Sequence, residues 1–112
     1  MKNFTLSLAI VCILCLACRK SNEQDRTPTC LENSIAQFVL YACDTGATVK
    51  EYRFQGKIVY LMEPGSCGAD MQSIVLDREC NNLGALGGIT GNTKIDGVEF
   101  STATYIRTVW HN

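Results

Sequence analysis

The sequence predicts an α+β domain, with one N-terminal helix packed on a small antiparallel β-sheet and disulfides stapling the two. Three observations carry this. Leu31, Ile35, Phe38 and Val39 recur at helical spacing. Two β-prone runs, Val49 to Phe54 and Lys57 to Met62, meet at Gln55-Gly56, a two-residue loop with Gly second, as a tight hairpin requires. Four cysteines, Cys30, Cys43, Cys67 and Cys80, follow an export leader, the setting in which disulfides form and persist. A helix ahead of a run of strands then settles on one sheet face.

The leader comes first in the chain. Lys2 is a minimal positive n-region, Phe4 to Ala17 is apolar, and Leu16-Ala17 sets small residues before a thiol. The run is shorter than the roughly 20 residues a bilayer span needs. Residues 1–17 read as a lipoprotein signal peptide and Cys18 as the lipid attachment site, whose thiol becomes a thioether to diacylglycerol. Cys15 stands where such motifs usually carry Leu. The competing readings are a secretory signal cut at another Ala, with Cys18 a stray thiol, and an uncleaved anchor. Under the first reading Cys12 and Cys15 leave with the leader, and the protein is exported and lipid-anchored in a bacterial cell envelope.

Residues 18–29 are polar and closed by Pro28, a solvated tether. Residues 30–112 form a single small domain. Its helix runs from Thr29 or Cys30 through Tyr41, with Ile35 and Phe38 towards the core and Glu32 in the first turn. The first strand shows Lys50, Tyr52 and Phe54 on one face against Val49, Glu51 and Arg53, one face covered and the other wetter. The second is apolar on both faces, which makes it central. Gln72 to Asp77 is a third strand. Asn81 to Asn92 has four Gly in the eight residues from Gly84 and reads as an ordered loop. Asp96-Gly97 joins a second hairpin, and Thr102 to Trp110 ends the chain as a strand.

This order constrains the cysteines. A helix rising 1.5 Å per residue separates Cys30 from Cys43 by roughly 17 Å, and bridged Cα atoms lie within about 7 Å. Chain reversal after Cys43 brings Cys67 back to it and Cys80 back to Cys30, so the preferred pairs are Cys43 with Cys67 and Cys30 with Cys80. Pairing Cys67 with Cys80 remains an alternative.

The formal net charge is -1, and loss of Lys2 with the leader takes it to -2. No basic stripe meets a phosphate backbone, so nucleic acid is not an expected partner. Catalysis has little to use: the one His is His111, beside the terminus. The four cysteines beyond the leader, Cys30, Cys43, Cys67 and Cys80, include no Cys-x-x-Cys, and no metal or cofactor is called for. Asp70, Asp77 and Glu79 lie close in sequence and Asp96 sits among glycines; turn acids are the simplest reading, ahead of a calcium site or paired catalytic acids. Two loops suit recognition, one at Pro64, Gly65 and Ser66 beside Cys67, the other holding Gly87, Gly88 and Asn92. Tyr52, Tyr60, Tyr105 and Trp110 read mainly as core, with an exposed aromatic strip as the alternative.

Several pieces carry a family resemblance: Val49-Lys50-Glu51-Tyr52, Gln55-Gly56-Lys57, Pro64-Gly65-Ser66-Cys67-Gly68-Ala69-Asp70-Met71, Leu83 through Asn92, and Thr108-Val109-Trp110. With its Cys-Gly-Ala-Asp-Met and Leu-Gly-Gly motifs, the chain resembles an uncharacterised family of small bacterial lipoproteins. The resemblance covers most of the chain after Cys30 and implies a compact domain on an envelope tether, with no activity carried over. The expected function is a non-catalytic binding or structural module, held to the membrane through Cys18 and contacting an envelope protein or polymer. A protease inhibitor presenting its disulfide-fixed loop, and an envelope enzyme of unfamiliar type, are the alternatives.

Overall fold

The structure, a computed structural model, describes residues 27–112. The expected leader at 1–17, Cys18 and the tether up to residue 26 lie outside the described residues. Helix α1 spans Thr29–Phe38, and the strands follow as β1 (Thr48–Phe54), β2 (Lys57–Glu63), β3 (Gln72–Asp77), β4 (Asn82–Gly87), β5 (Lys94–Ile95), β6 (Val98–Glu99) and β7 (Thr104–His111), with a 3-10 turn at Phe100–Thr102. Five strands make one antiparallel sheet in the order β4-β3-β2-β1-β7, and β5 and β6 form a separate hairpin.

The α+β expectation is corrected by this arrangement: the domain is mostly β, with one short helix of ten residues. Two local departures account for the difference. Beyond Phe38 the helical bonds tighten, with Leu40 N–H donating to Gln37 and Tyr41 N–H to Phe38 three residues back. The resulting turn delivers Cys43, whose N–H donates to the Pro64 carbonyl at 2.8 Å, so the helix stops short of Tyr41. The glycine-rich segment, expected as a loop, is in part the edge strand β4. Gly84 sits at φ 150°, and a Cβ built there would come 3.0 Å from Ile95 Cδ1. Glycine is therefore what lets the β5–β6 hairpin lie close across this strand.

Side-chain alternation sends residues of the sheet into two cores. Leu31 and Phe38 of α1 meet Val49, Tyr60, Met62 and Leu76 on one face. On the other, Phe54, Val59, Leu61 and Val75 are covered by Ile95 and Phe100. Strand β2 is the middle strand and buried on both sides, as its continuous apolar run indicates. The expectation of one wetter face on β1 is corrected: Val49 is fully buried beneath the helix, and Glu51 beside it is only 3% exposed. Glu51 is tolerated there because Arg107 on β7 reaches its carboxylate at 3.4 Å. Burial, and then the Glu51 carboxylate, push the neighbouring Tyr60 hydroxyl above its ordinary value.

Disulfides join Cys30 to Cys80 and Cys43 to Cys67, the pairing preferred from the sequence. The first ties the start of α1 to the β3–β4 turn, the second ties the exit from α1 to the β2–β3 connection. The sheet accordingly has two unlike ends. At the turn end lie Gln55-Gly56, residues 78–81 and the start of α1; at the loop end lie residues 39–47, 64–71 and 88–92. Strand β7 pairs with β1 through two register shifts, between Val49 and Lys50 and between Glu51 and Tyr52.

Candidate functional site

Each end of the sheet carries a concavity. At the turn end, the β1–β2 turn, the β3–β4 turn and the tip of the β5–β6 hairpin enclose a groove of about 730 Å³. Phe54, Val59, Leu83 and Ile95 line it, and its charged side chains are balanced, Arg53, Lys57 and Arg78 against Asp77, Glu79 and Asp96. Both tight turns that shape it follow from sequence. Gln55 and Gly56 have φ of 53° and 74°, Asp96 and Gly97 of 49° and 75°, the left-handed pair that type I′ hairpins demand.

Asp77 builds the wall of this groove rather than waiting for a ligand. Its carboxylate accepts from the Glu79 N–H at 2.9 Å, the Asn81 N–H at 2.8 Å and the Asn81 side-chain amide at 3.0 Å. Burial pushes the carboxyl up, but the Asn81 and Glu79 hydrogen bonds and the Lys57 charge outweigh it, and the group is held below its ordinary value of 3.8. A carboxylate so held contributes stability that is complete above that ordinary value and is lost as pH falls through its lower folded value. Asp77→Asn should therefore be less stable than the wild type at neutral pH, and the gap should close between about pH 5 and pH 2. Urea unfolding across that range measures it; a gap independent of pH would remove the charge from the account.

At the loop end, Tyr41, Pro64, Asp70, Met71, Gln72 and Ile74 line a hollow of about 360 Å³. The Cys43–Cys67 bridge forms one shoulder: Cys67 N–H donates to the Cys43 sulfur at 3.1 Å, and the Met71 sulfur lies 3.7 Å from it. Gln72 links this shoulder to the second loop. It pairs with Gly87, and a Cβ on Gly88 would stand 2.7 Å from its Nε2, so a side chain at position 88 would displace the Gln72 amide. Gly87 and Asn92 exchange backbone bonds at 2.8 and 3.2 Å. The Asn92 side chain donates to the carbonyls of Ala85 and Lys94 at 2.7 and 2.8 Å; it closes the edge of β4.

Both loops singled out from sequence thus arrive at the same end, on either side of the start of β3. Pro64 is buried, Gly65, Gly87 and Gly88 are half-buried, and Ser66 and Asn92 are exposed. Beside them stand side chains that sequence reasoning placed elsewhere or passed over. Leu40 is 80% exposed, Tyr41 56% and Ile89 86%. The signal for Leu40 and Tyr41 is the helix period itself, since Leu40 falls off the Leu31, Ile35, Phe38 stripe. The turn-end groove was legible only as two separate turn signals whose nearness depends on strand register.

The acids are divided between the two ends. Asp70, at φ 58°, is at the loop end, and Asp77 and Asp96 are at the groove. Among the described residues no group of three or more His, Cys, Asp or Glu is placed to hold a metal ion. His111 is exposed, its Nδ1 within 3.3 Å of the Asn112 carbonyl. Of the aromatic residues, Tyr60 is core, Trp110 packs edge-on against Phe38 and Tyr52 against Phe100. Tyr105 is exposed, its hydroxyl 2.9 Å from that of Thr108.

No curated protein and no solved structure matches the chain. Residues 42–112 match a family described as Domain of unknown function (DUF6970). The match begins after α1 and takes in all seven strands, both loops of the loop end and the groove. The chain belongs to this family of domains of unknown function.

Proposed function

We propose that this protein is a lipid-anchored module of the bacterial cell envelope that binds another envelope component and does no catalysis. One observation carries the binding reading: two loops, one fixed by a disulfide and the other by Asn92, converge with exposed Leu40, Tyr41 and Ile89 at the loop end. Exposed apolar side chains beside rigid loops favour association, because little ordering cost is added on contact. The described chain begins at Thr27 and enters α1 at the turn end, where Cys30 is bridged to Cys80. The start of α1 and the loop end thus lie at opposite ends of the sheet.

The anchor rests on the apolar run ending at Ala17-Cys18. Globomycin should leave the uncut precursor, and Cys18→Ser should abolish palmitate labelling and release the chain from the membrane fraction. Continued membrane fractionation of Cys18→Ser would sink the lipoprotein reading. Catalysis finds little support: the Asp77 carboxylate is engaged by its own turn, and His111 is exposed at the end of β7.

A further inference from the structure

We propose that the loop end docks a protein segment presenting an apolar side chain flanked by Lys or Arg, a refinement that rests on the binding reading above. The apolar half of this recognition is the hollow at the start of β3. Pro64, Met71 and Ile74 line it and Tyr41 stands at its side, with Leu40 at the preceding position. Its volume, about 360 Å³, lies at the small end of ligand pockets and holds a side chain or two.

The basic half follows from charge. Residues 39–47, 64–71 and 88–92, which form the loop end, contain Asp44 and Asp70 and no Lys or Arg. Both acids are exposed. Glu63, at the end of β2, is taken up by Lys50 at 3.0 Å, which leaves the two aspartates to set the local field. Two exposed acids at this end, one of them lining the hollow, attract cations and repel anions over roughly 8 to 10 Å at ordinary salt. That disfavours an anionic lipid surface, which is itself negative, and equally a nucleic acid. A protein segment with basic residues around a Leu or Phe satisfies both halves, its apolar group entering the hollow and its cations meeting Asp44 and Asp70.

The probes are two fluorescein-labelled twelve-residue peptides, each with a central Leu-Phe pair, one flanked by Lys and the other by Glu. They are titrated into the full chain in detergent and followed by polarisation. The Lys peptide should bind and the Glu peptide should not. Leu40→Ser with Tyr41→Ser should weaken binding at least about tenfold, as loss of a central apolar anchor does. Asp70→Asn, which suits the left-handed backbone there, should weaken it about threefold and flatten its salt dependence. Circular dichroism confirms that each variant is folded. Equal binding of both peptides, insensitivity to the Leu40 and Tyr41 changes, or tighter binding to phosphatidylglycerol vesicles than to the Lys peptide would overturn the proposal. So would self-association of the chain abolished by the same variants. A photo-crosslinking residue at position 41 separates the two levels. A defined adduct in cells, with no preference for the Lys peptide, rejects the basic partner and keeps the binding module; no adduct and no peptide binding reject both.

Discussion

Replacing Cys30 and Cys80 together with Ala should lower the unfolding free energy by about 4 kcal/mol. The reason is loop length. This bridge closes a separation of 50 residues, against 24 for Cys43–Cys67, and the entropy withheld from the unfolded chain grows with the logarithm of the loop. Loss of Cys43–Cys67 should cost about 3 kcal/mol on the same argument. Small domains hold only about 5 to 15 kcal/mol in total, so removing both bridges should leave the chain largely unfolded at growth temperature. Urea titrations without reductant check the order; a smaller shift for the Cys30–Cys80 pair than for Cys43–Cys67 would refute the loop-length explanation. The two losses also differ in consequence. The first frees the start of α1 from the β3–β4 turn, while the second loosens the shoulder of the loop-end hollow.

Phe38→Ala should cost about 3 to 5 kcal/mol, the range for truncating a buried aromatic residue. Phe38 is 1% exposed, stacks edge-on with Trp110 at a centroid distance of 5.9 Å and with Tyr41 at 5.4 Å. It therefore joins the last turn of the helix, the terminal strand and the exposed patch in one cluster. The variant should lose the near-ultraviolet dichroism of Trp110 before its far-ultraviolet signal, because the sheet retains its second core around Val59 and Val75. Thermal unfolding gives the magnitude. A cost below about 1 kcal/mol would mean that the helix is not held by this contact.

Local rules made much of the sheet legible. Gln55-Gly56 and Asp96-Gly97 fix hairpins because left-handed backbone at both central positions suits few residues, and β3 announces its limits through Ile74, Val75 and Leu76. The two disulfides were the preferred pairing once helix rise and strand reversal were combined, with Cys67–Cys80 as the alternative. What escaped the sequence depends on neighbours far along the chain. Gly84 reads as a loop former until Ile95 is known to press against it. Glu51 reads as solvent-facing until Arg107, 56 residues on, is placed beside it. The helix end was misplaced because Val39, Leu40 and Tyr41 extend an apolar run, whereas the bond from Cys43 to Pro64 decides where the chain must turn. The two recognition loops could be named singly; their meeting at Gln72 required the β3–β4 register.

The irregular pairing of β7 bears on how one copy of this domain meets another. Its outer rim carries Tyr105 and Ile106, both more than 40% exposed, on an eight-residue strand with no neighbour on that side among the described residues. A straight rim of that composition would invite stacking from one copy to the next. The two offsets against β1 interrupt the even spacing of amide and carbonyl groups that such stacking needs. Copies of the domain can then collide edge to edge without zipping into ribbons.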